Sequence, residues 1–207
     1  MSDGTFRPRI ERPPLTAEDL ELLATPTEEL EKRTHVFSFD RDRFEERIAS
    51  GENWQQLLQA HLYYDHVITQ LLTEALVNPD AVNVVRMSFS QKLQFLSALG
   101  LLGPDIVSPI EFINGLRNKI AHDLNFEISD NDVRNFANCI PTHLRDIASS
   151  EDDREPGPLR FNELLRIVLF QIEVFRQQHA MRRLTEQKGL IRLRTVLEKT
   201  PGVVYKE

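Results

Sequence analysis

The sequence predicts an all-α protein, an antiparallel helical bundle, and three observations carry that expectation. Apolar residues recur with a 3.6-residue period over long stretches, glycines and prolines fall between those stretches, and no segment alternates apolar and polar residues as a half-buried strand would. The chain has 207 residues, enough for one sizeable core with extensions.

Residues 1–14 carry Pro8, Pro13 and Pro14 among arginines, with no periodicity, and are expected to be a flexible arm. Thr16 followed by Asp19 has the spacing of a capping box, with Asp in place of Glu, and opens an acidic helical stretch to about Lys32 that Pro26 interrupts. A short helix is expected from Asp40 to Ala49. The longest early helix is expected from Trp54 to Val77, on a stripe of Leu57, Leu58, Leu62, Val67, Ile68, Leu71, Leu72 and Leu76, with Pro79 ending it. Ser90 to Leu99 forms the next helix, stopped at Gly100. A Gly103-Pro104 turn then leads into a helix from Asp105, whose regular part is expected to wait until Pro109. Ser129 with Asp132 supplies a further N-cap, for a helix ending near Pro141 or resuming to Ile147. The acidic segment 149–158 reads as a loop. Leu159 to about Gln187 reads as a long amphipathic helix closing the bundle, and Gly189 is expected to separate it from a last helix to Lys199. Residues 15–200 are thus expected to form a single helical domain, followed by a tail at 201–207.

Composition narrows the classes without naming a role. The formal charge of −7 argues against non-specific binding of duplex DNA. No apolar run nears the ~20 residues of a membrane span, and no signal peptide opens the chain, so no membrane partner is expected. The single cysteine, Cys139, excludes an internal disulfide, suits a reducing cytoplasm, and reads as a packed small side chain. Charge is uneven: residues 160–199 hold nine Lys or Arg against four Asp or Glu. Arg182, Arg183, Lys188, Arg192 and Arg194 would either track a phosphate backbone, or decorate a solvated helix or pair with the acidic body of the chain. His61, Asp65 and His66 superficially suggest a metal set, but a lone helix with such residues more often carries ordinary hydrogen bonds, and no metal or cofactor is expected.

The candidate site is Arg117-Asn118-Lys119-Ile120-Ala121-His122. Ile113, Leu116, Ile120 and Leu124 fall on one apolar stripe, extended by Phe112, while Asn114, Asn118 and His122 follow at spacings of four on the other face. Arg117 lies on the flank between them, able to swing toward His122. A basic last turn also complements the negative helix end without any chemistry, so the surface is either plain solvent or a site.

From Trp54 to Pro141 the chain resembles the HEPN superfamily of all-helical domains, whose signature is Arg, a polar residue, three residues, then His. Arg117, Asn118 and His122 match it. "HLYYDHVITQLLTEAL" (61–76) looks like the family's long helix, "FSQKLQFLSALGLL" (89–102) like the helix and turn that follow, and "FINGLRNKIAHDLNFEISDNDV" (112–133) completes the order. The layout is also similar to the mannitol repressor family of bacterial regulators. The first resemblance implies a HEPN-like core over about 53–185 and metal-independent RNA cleavage, in a toxin or phage-defence effector. His122 would serve as general acid or base, Arg117 would bind phosphate, and Asn118 would orient either. Lys119 and Asn114 are candidate substrate-binding residues. Asp65 is the candidate accessory acid from the long helix, with Glu74 as another. One copy supplies one such imidazole, so a homodimer is implied, and an antitoxin or regulatory protein is a candidate partner. Toxin members often carry a Tyr two residues after the His, which their antitoxin modifies; Leu124 stands there, so that silencing is not expected. The second resemblance implies a non-catalytic regulator that binds a protein or a nucleotide through the same helix.

Overall fold

Capping chemistry sets most helix boundaries in the computed structural model, which describes residues 14–151 and 157–199. Among these residues there are nine α-helices, two 3-10 turns and no strand. The expected all-α architecture is therefore present. They divide into two compact units, one from residues 14–34 with 181–199 and one from His35–Ala180. The first thirteen residues of the arm, the middle of the acidic segment and the tail at 201–207 lie outside the described residues.

In the smaller unit, Thr16 and Asp19 form the expected reciprocal box at the start of α1 (Ala17–Ala24). That box holds the Asp19 carboxyl below its usual range. The break before α2 (Thr27–Thr34) falls at Thr25-Pro26.

The larger unit begins with α3 (Arg41–Ile48), whose N-cap Asp40 accepts from the backbone N–H of Arg43. α4 (Asn53–Ala75) follows and stops four residues short of Pro79. α5 (Phe89–Ala98) starts at a Ser88–Gln91 box and ends in a Schellman turn. There Gly100 takes φ +68°, Leu101 donates to the Leu96 carbonyl at 2.9 Å and Gly100 to that of Ser97 at 3.0 Å.

α6 (Pro104–His122) corrects the expectation at Pro109: the helix is regular from Pro104 and runs through it. Pro109 is the sixth helical residue, so only the Asp105 carbonyl loses its i+4 donor, and the buried ring adds apolar surface. α7 (Asp130–Cys139) starts at the Ser129–Asp132 box, and α8 (Thr142–Glu151) reaches beyond the point where the acidic loop was expected to begin.

α9 (Phe161–Lys199) is one continuous helix through Gly189, not two. A helical glycine costs about 1 kcal/mol relative to alanine, and the neighbouring Lys188 and Ile191 are both buried in the smaller unit. Burial on either side of the glycine outweighs its weak propensity.

α4 is the central rod of the larger unit and packs against α3, α5 and α6, while α6 also meets α5 and α7. Its buried face, Leu57, Ala60, Tyr64, Val67, Ile68, Leu71 and Leu72, shares one core with Ile106, Ile110, Ile113 and Leu116 of α6 and with Leu164, Leu165, Val168 and Ile172 of α9. The Tyr64 hydroxyl donates to the Leu165 carbonyl at 2.7 Å, so the one polar atom of that buried ring is satisfied.

Candidate functional site

α6 presents its motif on the side left over by core packing. Ile106, Ile110, Ile113 and Leu116 are buried, which turns Arg117, Asn118, Lys119 and His122 outward, all exposed. His122 is the last helical residue; the Asp123 N–H then closes the end by donating to the Lys119 carbonyl at 2.9 Å. Five residues of helix separate Arg117 and His122 by about 7.5 Å of rise and about 140° of turn. Within one chain the two groups therefore leave the helix on different sides. The guanidinium of Arg117 donates to Oδ1 of Asn118 at 3.3 Å.

Asn114 has a different environment. It is half-buried and its amide donates to the Ser90 hydroxyl on α5 at 3.2 Å. Lys119 lies over the Phe126 ring, 5.3 Å from its centre, a cation–π arrangement that ties it to the chain after α6. Leu124 corrects the helical wheel: α6 ends at His122, and Leu124 is 102% exposed instead of lying on the apolar stripe.

The two candidate acids of α4 part company. Asp65 faces α5 and pairs with Nζ of Lys92 at 2.7 Å. Glu74 binds Arg176 at 3.0 Å, in a network where Arg176 also holds the fully buried Glu173 at 2.8 Å and the Val36 carbonyl at 2.7 Å. Ser38 completes the coordination of Glu173 through its N–H and hydroxyl, both at 2.8 Å. Glu74 is thus engaged by Arg176, which in turn anchors the segment before α3.

His61 shares a face of α4 with Asp65, as its spacing predicts. Its ring lies on Phe89 with centroids 4.5 Å apart, and its Nε2 is buried without a hydrogen-bond partner. Burial is the largest cause of a pKa below the usual 6.5. The Asn114 amide works against that, the Arg117 charge adds to it, and Asp65 and Lys92 pull in opposite directions. His61 thus sits at the α4–α5 contact, where the Arg117 charge acts on it through space. Helical spacing places His61 on one face with Asp65; that this face packs against Phe89 and Lys92 of α5 is a tertiary fact no local spacing carries. His66 points elsewhere, with Nε2 2.9 Å from the Ser38 carbonyl. No group of three or more His, Cys, Asp or Glu among the described residues could hold a metal ion.

Two other features lie away from the motif. Arg47, Trp54, Gln55, Leu58 and Leu62 line an open groove at the α3–α4 corner. In the smaller unit Lys188 is buried and donates to the Thr25 carbonyl at the end of α1, so it neither tracks a phosphate backbone nor decorates a solvated face. Arg182 pairs with Glu186 at 2.8 Å. No helix among the described residues is long and apolar enough to cross a membrane.

No family model, no curated protein and no solved structure matches this chain.

Proposed function

We propose that this chain is a metal-independent endoribonuclease of the HEPN type, acting as a toxin or phage-defence effector in the cytoplasm. The observation that carries the reading is the joint exposure of Arg117, Asn118 and His122 in the last turns of α6, away from the face its core packing covers. In the reaction a ribose 2′-hydroxyl attacks the adjacent phosphorus. Its proton passes to an imidazole, and the departing 5′-oxygen takes a proton from a second one. Arg117 holds the charge that builds on the phosphate oxygens, and Asn118, bonded to Arg117, orients it. The products are a 2′,3′-cyclic phosphate and a 5′-hydroxyl.

The wide angle between Arg117 and His122 on one helix argues for a paired site. Two copies brought together at the ends of α6 supply Arg117 from one and His122 from the other, and two motif imidazoles in all. Leu124, exposed beside His122, offers no hydroxyl for an antitoxin to modify. A second reading, a non-catalytic regulator similar to the mannitol repressor family, is favoured by the same angle: an unpaired α6 presents these groups for binding a protein or nucleotide, not for catalysis.

The test is incubation of the purified chain with RNA in excess chelator, beside His122→Ala and Arg117→Ala. The nuclease reading expects cleavage by the parent and a loss of at least about a hundredfold in each variant. Intact RNA across varied sequences, with partner binding that depends on Arg117, establishes the regulator instead.

A further inference from the structure

We propose that the groove at the α3–α4 corner binds a nucleotide, free or within a single strand, with its base stacked on Trp54 and its phosphate held by Arg47. Binding there does not depend on whether α6 cuts RNA.

The floor of the groove follows from helical period. Trp54, Leu58 and Leu62 recur every four residues along α4 as an apolar row, and Gln55 and Gln59 form an amide row beside it. Trp54 stays 41% exposed and Leu62 61%, so core packing leaves this row uncovered. Arg47 and Ser50, from the last turn of α3 and the bend after it, supply the wall. The groove measures about 690 Å³, a size usual for small-molecule sites.

Its polar lining decides what fits. Among the described residues that line it, Arg47 alone carries a charge, so the groove favours an anion. Arg41 on the same helix is paired with Glu45 at 3.1 Å, whereas no carboxylate among the described residues pairs with Arg47. Its guanidinium lies instead 5.9 Å from the centre of the Tyr63 ring, a stacking contact that orients it and leaves its N–H donors for a phosphate.

The amide row is held in advance. Oε1 of Gln55 accepts from the Glu52 N–H at 2.9 Å and occupies space that a Cβ on Gly51 would enter, 2.6 Å away. That leaves the NH2 group of Gln55 as the donor it presents to the groove. Gln56 pins the same bend by donating to the Gly51 carbonyl at 3.1 Å, so the site is formed before a ligand arrives. A nucleotide matches each part: a π-face for the indole, edge donors and acceptors for the amides, and a phosphate for the guanidinium.

Trp54 is the single tryptophan of the chain, so its emission reports this groove directly. The full chain is titrated with adenosine monophosphate, with oligodeoxythymidylate, and with ribose phosphate as a probe that lacks a base. None of the three offers a 2′-hydroxyl beside a phosphodiester, so cleavage does not enter the readout. Saturable quenching is expected with a nucleotide probe, and ribose phosphate is expected to bind at least about tenfold more weakly. Arg47 is exposed, so Arg47→Gln is expected to melt as the parent does while losing about tenfold in nucleotide affinity. Quenching by adenosine monophosphate identifies a free-nucleotide site and quenching by the oligonucleotide alone a strand site; either supports the proposal. No saturable quenching by either, equal affinity for ribose phosphate, or undiminished affinity in Arg47→Gln overturns it. Emission that shifts with protein concentration and with no nucleotide marks a contact between copies, and overturns it as well.

Discussion

The ammonium of Lys92 meets the carboxylate of Asp65 at 2.7 Å, with the lysine side chain 3% exposed and the aspartate 42%. The lysine is the member that needs the pair, since a buried ammonium without a counter-charge is costly and a half-exposed carboxylate is hydrated. Asp65 therefore acts first as the partner that lets Lys92 stand between α4 and α5. Asp65→Ala is expected to lower unfolding stability by about 1–3 kcal/mol, discounted for the solvent that reaches the aspartate. Lys92→Met, which removes the buried charge and keeps the volume, is expected to cost less. Urea denaturation of the two variants measures the order, and equal or reversed costs contradict it.

The Glu173 carboxylate is fully buried and receives Ser38 and Arg176 together. Removing one side of such a pair strands the other. Arg176→Met is expected to destabilise by about 3–5 kcal/mol, and to expose the segment around Val36–Ser38 first, read as faster amide exchange at Ser38.

His61 carries a pH signature of its own. Its pKa is lowered on folding, so the unfolded chain binds the extra proton first as pH falls below 6.5. This contribution to stability is whole above 6.5 and declines through the interval down to the folded pKa. Thermal melts of the parent between pH 7.5 and 5 should therefore lose stability more steeply than those of His61→Gln. Parallel curves would show that the ring's environment does not oppose its charge.

Ser129 accepts from the Asp132 N–H at 3.2 Å, and its own hydroxyl and N–H hold the Asp132 carboxylate at 2.6 and 3.0 Å. That pairing keeps the Asp132 carboxyl below its usual range. Ser129→Ala is expected to cost about 1 kcal/mol, the usual worth of a helix N-cap, read as a lower denaturation midpoint at unchanged slope.

Where the determinants are local, the sequence made the structure legible. Thr16 with Asp19 and Ser129 with Asp132 are short-range hydrogen-bonding patterns, and both boxes appear where expected. Gly100 stops α5 because its backbone takes the left-handed conformation there. The outward placement of Arg117, Asn118 and His122 follows from helical period alone. Local rules failed where burial decided. Gly189 reads as a break and Pro109 as a delay of the regular helix, yet tertiary packing carries α9 and α6 through them. Leu124 fits the stripe only if α6 continues, and the Asp123 N–H closes it two residues too early. Lys92 and Lys188 look like solvated cations in sequence; each is buried because a partner distant along the chain waits for it. The contact of His61 with Phe89 is a product of α4–α5 packing, which no spacing within either helix encodes.

The central claim is that the Arg117–His122 helix cuts RNA through its own 2′-hydroxyl. End-group analysis of RNA incubated with the full chain in chelator tests it most directly. The account predicts 2′,3′-cyclic phosphate and 5′-hydroxyl ends, absent from the His122→Ala reaction and from a substrate with 2′-deoxyribose at the cleaved position. Ends bearing 5′-phosphate, or cleavage that persists in His122→Ala, would contradict it.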